Sequence, residues 1–213
     1  MRRLNGSSTK VEFISKVGTG IVGISSALAG AAETVLSDYP SQNVLANLKI
    51  NVGHNVPEMV KVEQKVSVKG HEWGVLRDDF SKANANRFTR ILCADCLWSD
   101  GEHYGLAQSM VHFLSPKEDA QVWVIAGFHT GRAKIASFFD ITDQAGLETN
   151  EIWERDCDGH ERSWERDRED KERNRWFVIA ILKRKHSLET ISEVENKYRF
   201  FTSMLMQKSN RHT

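Results

Sequence analysis

The sequence is poor in cysteine and in net charge, and its apolar stretches stop short of a bilayer span. Three cysteines, Cys93, Cys96 and Cys157, are too few and too unpatterned for a disulfide scaffold. They suit a reducing compartment, so a cytoplasmic or nuclear location is expected. Lysine plus arginine total 29 and aspartate plus glutamate total 29, which removes any electrostatic case for nucleic acid or an anionic membrane as partner. Val17–Ala32 is apolar but broken by Ser25 and Ser26, and it is shorter than a membrane helix requires. Cys93-Ala94-Asp95-Cys96 is formally a C-x-x-C, yet no second cysteine pair or histidine pair completes a tetrahedral site, so no metal is expected. Internal repeats and low-complexity linkers are also missing. The 213 residues therefore fit one α/β domain with no space for a second large one.

What is present begins with Gly18-Thr19-Gly20-Ile21-Val22-Gly23, a complete G-x-G-x-x-G. Glycines let a turn run close to a ligand, and the helix start beyond them offers unpaired N–H groups. Around the motif the pattern reads strand (Val11–Ile14), glycine turn, small-residue helix (Ile21–Ala32), and a second strand (Thr34–Ser37) ending at Asp38. That is a right-handed βαβ unit, and a carboxylate at its second strand end can accept both hydroxyls of a ribose.

Further along, Val44, Leu45, Leu48 and Val52 recur at helical spacing, and Val60–Val66 alternates as a third strand. Gly70-His71-Glu72-Trp73-Gly74 reads as a loop, Phe88–Ala94 as a strand ending at Asp95, and Tyr104–Leu114 as a helix. The run Val122–Ala126 within Gln121–Gly127 has the composition of a strand covered on both faces. A helix over 131–145, strands at Glu151–Arg155 and Trp176–Leu182, and a charged excursion between them complete the domain. That excursion, Glu154 to Arg175, interleaves nine acids with seven lysines and arginines and is expected to be a solvated loop or short helix. From Ser187, the residues Leu188, Ile191, Val194, Tyr198, Phe201 and Leu205 form one helical apolar stripe, so residues 1–185 are expected as the domain and 186–213 as an amphipathic tail. Packing on its own domain is the plain reading of the stripe, and self-association the sharper one. The alternation of strands and helices gives a Rossmann-like, mostly parallel sheet with helices on both faces.

A G-x-G-x-x-G followed by an acid suits NAD and S-adenosylmethionine equally. The chain lacks a Tyr-x-x-x-Lys pair and a substrate domain, and its second half closes on paired strands around a polar excursion. That layout favours S-adenosylmethionine and methyl transfer.

Several blocks then resemble a known family: Leu36–Pro40, Val44–Leu48, Gly70–Gly74, Ile91–Trp98, Ala126–Arg132 and Arg175–Leu182. Together they are similar to fungal nicotinamide N-methyltransferase-like proteins, within the seven-strand S-adenosylmethionine-dependent methyltransferases and close to the protein-lysine methyltransferase branch. The resemblance implies a seven-stranded sheet with its last strand antiparallel. It implies that Gly18 and Gly20 approach the methionine moiety of the cofactor, that Asp38 holds the ribose and that Trp73 contacts the adenine region. It further implies that Asp95 faces the transferred methyl and the substrate amine, with Trp98 on the substrate side. Aromatic faces at Trp73, Trp98 or Tyr104 are candidates to stabilise a sulfonium, and His129 and Arg132 follow a strand where a substrate loop belongs.

The opening motif departs from the family. Relatives carry an acid before the glycines, where this chain has Ile14, and Lys16 stands where a glycine is usual. They also carry a longer N-terminal segment, so a shortened form with weakened cofactor binding is expected. Two functions follow: an N-methyltransferase acting on a nicotinamide-like or protein amine, or a non-catalytic module that keeps the fold for interaction.

Overall fold

The computed structural model describes residues 13–15, 19–169 and 173–185. Its strands and helices are, in chain order, β1 (Phe13–Ser15), α1 (Ile21–Leu28), β2 (Thr34–Asp38), α2 (Gln42–Asn55), α3 (Glu58–Glu63), β3 (Val66–Gly70), α4 (Asp79–Asn84), β4 (Arg90–Ala94), α5 (His103–Phe113), β5 (Gln121–Gly127), α6 (Arg132–Gln144), β6 (Leu147–Asp156), β7 (Glu161–Ser163) and β8 (Trp176–Arg184). Among the described residues the strands form one eight-stranded sheet in the order β3-β2-β1-β4-β5-β8-β6-β7. The pairs among β1 to β5 are all parallel, while β8 runs antiparallel to both β5 and β6. A reversed last strand is as expected.

Successive residues of β2 divide the core. Val35 joins a large cluster with Ile91, Val122, Val124, Leu106 and Phe138, whereas Leu36 joins a smaller one with Ile24, Ala27, Leu48 and Val52. Because side chains alternate across a strand, these clusters lie on opposite faces of the sheet. The helices α5 and α6 cover the first face, and α1 and α2 supply the second. On that second face the cover thins toward β5, where Ile125 is 40% exposed, so the apolar run of β5 is fully buried on one side only.

Four expectations are corrected. Val60–Val66 is not a strand: Pro57 opens the helix α3, Glu58 sits in its first turn and pairs with Lys61 at 2.6 Å, and the strand starts only at Val66. Proline at a helix start has its φ preset and loses no needed N–H. Lys65 at φ 44° then turns the chain into register with β2, Thr34 opposite Val66. The helix after the glycine turn stops at Leu28 rather than Ala32, because Gly30 takes φ 90° just past its end. Eight strands replace seven, since Glu161–Ser163 adds to the edge opposite Trp153–Arg155. Finally, the charged excursion is not a solvated loop throughout: Glu154 is completely buried. The expected C-terminal helix lies outside the described residues.

The chain runs outward from β1 to β2 and β3, then crosses back to β4 on the other side of β1. The carboxyl ends of β1 and β4 therefore flank the point where strand order reverses, which is where open α/β sheets form their ligand crevice.

Candidate active site

The edge at these strand ends is built first by Gly20, since Gly18 lies outside the described residues. Gly20 precedes α1 with φ 78° and ψ 9°, a left-handed conformation, and a Cβ there would stand 2.5 Å from Leu48 Cδ1 and 3.2 Å from Leu36 Cδ2. Only glycine meets both demands. Asn51 of α2 holds the preceding residue, its Nδ2 donating to the Thr19 carbonyl at 3.0 Å. Asp38 ends β2 and is buried, with the Tyr39 N–H donating to its Oδ1 at 2.7 Å. Its carbonyl accepts the His71 N–H at 2.9 Å, which ties the end of β2 to the start of the next loop.

That loop carries Trp73. A cavity of about 210 Å³ opens between it and the β2 end, lined by Tyr39, His71, Glu72, Trp73 and Glu102. Trp73 is partly buried against the main core, so its ring both packs and forms a wall. Close contact with α5 fixes its backbone: a Cβ on Gly105 would lie 3.0 Å from the Trp73 carbonyl oxygen.

Asp95 follows β4 at φ 53°, and its N–H donates to the Ile125 carbonyl at 2.7 Å, bending the chain across the top of β5. Aspartate and asparagine tolerate this region better than most side chains do. The carboxylate is exposed, and His129 Nε2 stands 4.0 Å from its Oδ1. His129 reaches it by folding over Gly127, where a Cβ would sit 2.5 Å from the same nitrogen. Trp98 is half exposed beyond Asp95. Tyr104 does not join them: it faces a separate groove with Leu76, Gln108, Val111 and Gln144, which corrects its place among the sulfonium-facing aromatics.

Two parts of the edge escaped the sequence reading. Arg132, at the start of α6 and expected in a substrate loop, is instead turned to a buried carboxylate: its Nη1 and Nη2 reach Glu154 Oε1 and Oε2 at 2.5 and 3.2 Å. Arg162 Nε donates to the same Oε2 at 2.8 Å, so one carboxylate joins β6, β7 and α6. The guanidinium of Arg132 lies over Phe128 at 4.1 Å, and that of Arg162 over Trp176 at 3.6 Å. The available signal was strand phase, since Ile152, Glu154 and Asp156 alternate on one face of β6. The second is His71, buried, with its pKa lowered from 6.5 to about 4 by desolvation, an effect Asp78 opposes and His112 reinforces. Nothing in the sequence separates it from a loop histidine.

Asp156, Asp158 and His160 bring potential metal-ligand atoms within 4.8 Å of one another. Internal bonds account for that cluster: Asp156 Oδ1 accepts the Asp158 and His160 N–H groups at 3.0 and 2.8 Å, and Arg175 pairs with Asp158. Cys93 and Cys96 are buried thiols with no disulfide between them.

The edge fits S-adenosylmethionine by its donor set. It offers a glycine turn no side chain can fill, a buried carboxylate at the end of β2, and a cavity lined by Glu72, Glu102 and the aromatic rings of Tyr39 and Trp73, a lining suited to a cation.

Known proteins share this architecture. A family model described as lysine methyltransferase matches residues 10–145. The protein N-terminal and lysine N-methyltransferase efm7 of Schizosaccharomyces pombe is 29% identical over 143 residues, which cover 64% of this chain and 54% of that protein. Its namesake in Emericella nidulans is 26% identical over 145 residues, covering 64% and 56%. The chain thus spans about half the length of the curated relatives it matches. Among solved structures, the ribosomal protein L11 methylase of Lactobacillus delbrueckii aligns with a TM-score of 0.53 at 16% identity, over 86% of this chain and 73% of that one. A structure assigned to the S-adenosylmethionine-dependent methyltransferases, from Listeria monocytogenes, aligns at 0.56 with 9% identity, over 86% and 95%. The fold is that of S-adenosylmethionine-dependent methyltransferases.

Proposed function

We propose, because this chain belongs to the lysine methyltransferase family, that it is an S-adenosylmethionine-dependent N-methyltransferase acting on a protein amine, a lysine side chain or a chain N-terminus. One observation carries the reading: Gly20, Asp38, the Trp73 cavity and Asp95 stand along the same edge of the sheet at its reversal point. The names of the relatives support a protein amine over nicotinamide.

In this reading Asp38 accepts the ribose hydroxyls, Tyr39 and Trp73 flank the adenine side, and the turn at Gly20 lets the methionine end lie against α1. The cofactor, when bound, supplies an activated methyl group. What the protein adds is alignment and removal of water, because an in-line displacement needs an uncharged amine held at near-attack distance. Asp95 orients that amine through its N–H groups and draws the departing proton toward the carboxylate. His129, 4.0 Å away, is placed to relay the proton outward. Trp98 walls the acceptor side.

Transfer of labelled methyl to proteins of a cell extract, with nicotinamide as the parallel acceptor, tests this. Labelled protein with wild-type enzyme and none with Asp95→Asn supports the reading, whereas labelled nicotinamide alone would replace the acceptor class. A second reading, a methyltransferase fold retained for interaction, is favoured by Ile14 and Lys16 in the opening motif. Absence of transfer to either acceptor would decide for it.

A further inference from the structure

The loop after β3 has no regular structure between Gly70 and Asp79, yet it forms the wall of the cavity. A loop that orders only on binding reduces affinity by the cost of ordering it. Here the ordering is already done, and buried side chains from two helices do it.

His71 is 4% exposed, with its ring edge-on to Phe113 at 4.9 Å and tilted against Phe80 at 6.0 Å. Its Nε2 is 3.0 Å from Ser109 Oγ on α5, and that same oxygen accepts the Gly74 N–H at 2.9 Å. Its Nδ1 is 3.4 Å from Ser81 Oγ on α4, which in turn lies 2.9 Å from both the Val75 carbonyl and Asp78 Oδ2. One proton arrangement satisfies this chain of contacts. Gly74 N–H donates to Ser109, Ser109 O–H donates to His71 Nε2, His71 Nδ1–H donates to Ser81, and Ser81 O–H donates to the Val75 carbonyl or Asp78. The imidazole is then neutral, in agreement with its burial. Both backbone groups bonded this way, Gly74 N–H and Val75 C=O, follow Trp73 directly. Gly74 itself lies on Gly105, where a Cβ on either residue would meet the other's backbone within 3.4 Å.

We propose that His71 and Ser109 are positioning residues of the cofactor site: through Gly74 they hold the Trp73 wall in its binding geometry before ligand arrives. This deepens the cofactor reading given above and rests on it. Ser109 lies outside the cavity and His71 is one of its lining residues, and neither stands beside Asp95, so their loss weakens ligand affinity.

The test uses the whole chain and S-adenosylhomocysteine as probe, with affinity from titration calorimetry and the exchange rate of the Gly74 amide in ligand-free protein. Ser109→Ala is expected to speed Gly74 exchange and weaken probe affinity by about tenfold, as expected for one buried hydrogen bond lost, while amides of β5 keep their protection. His71→Phe, which keeps the ring against Phe113, should do the same, and His71→Gln, which restores an acceptor toward Ser109, should recover part of the affinity. Uniformly faster exchange in β5 and at Gly74 would overturn the inference in favour of a general stability role. Wild-type binding with unchanged affinity in Ser109→Ala and His71→Phe would overturn it too, leaving the cofactor reading intact. No binding of the probe by wild-type protein would instead overturn the cofactor reading, and this inference with it.

Discussion

Replacing Glu154 by alanine should be among the most damaging single changes on the β6–β7 side of the molecule. The carboxylate is fully buried, and the side chains of its partners Arg132 and Arg162 are 9% and 22% exposed. Removing the acid leaves two guanidinium ions facing each other, held by Phe128, Trp164 and Trp176 in a space that water enters poorly. Breaking a buried ion pair on one side costs about 3–5 kcal/mol, because the uncompensated charge dominates. For a chain of this size, about 2–4 °C accompanies each kcal/mol, so the midpoint should fall by about 6–20 °C. The internal control is Glu161, which pairs with Arg155 in the same hairpin with both side chains 51% exposed. Its alanine variant should leave the midpoint nearly unchanged, since solvent screens such a pair. Thermal unfolding followed by far-UV circular dichroism reads both midpoints, and urea unfolding the free energies. Replacing Arg132, Glu154 and Arg162 together by methionine and leucine should recover most of the loss, because the buried charges leave as a set. A loss below about 1 kcal/mol in Glu154→Ala would refute the argument that this network locks the excursion to α6.

Three further outcomes follow from the same geometry. Gly20→Ala places a methyl 2.5 Å from buried Leu48 in a left-handed conformation, so a loss of about 2–4 kcal/mol in urea unfolding is expected together with weaker S-adenosylhomocysteine binding. Burial holds the His71 pKa at about 4 against 6.5 in the unfolded chain, so below pH 6.5 the unfolded state takes up a proton that the folded state refuses. Stability should then fall as the pH drops from 6.5 through 4, by at most about 3 kcal/mol from this group, and the difference between wild type and His71→Phe isolates it. A pH dependence identical in the two proteins would count against a buried neutral imidazole. Asp95→Asn keeps a residue suited to φ 53° and should abolish methyl transfer while leaving probe affinity within about twofold, measured by the assay and the calorimetry already described.

The parts of the fold legible in the sequence are those where one local rule acts alone. Gln121–Gly127 is a strand because its apolar run has no competing helical period, and the observed bounds coincide with the expected ones. Val44, Leu45, Leu48 and Val52 likewise mark α2, whose buried residues are Leu48 and Val52. Legibility failed where two rules overlapped. Val60, Val62 and Val66 alternate like a strand, but Pro57 and the Glu58–Lys61 pair favour a helix, and Val62 ends 76% exposed with no sheet to join. The turn of the chain at Lys65 then decides which valine enters β3.

At the site the division is similar and has a physical cause. Gly20, Asp38 and Asp95 could be located in the fold from the sequence because each stands at a helix start or a strand end, and such boundaries are local features. The groups that hold them belong to distant segments. Asp95 is bent by the carbonyl of Ile125, Gly74 is fixed by Ser109, and Glu154 is neutralised by Arg132 from 22 positions away. No periodicity couples such pairs, and a charged run such as Glu154 to Arg175 looks the same on paper whether its acids are solvated or buried. The burial of Glu154 shows what that run does here. Its first part, residues 154–163, is not a loop laid over the sheet but a hairpin tied through Glu154 to Arg132, at the start of the helix that begins just after His129. Ser109 on α5 holds the Gly74 N–H in the same manner, so segments on both sides of the strand-order reversal are tied to helices packed on the core. In the proposed reading Trp98, exposed on the acceptor side, can therefore be exchanged to alter acceptor choice with little effect on the fold.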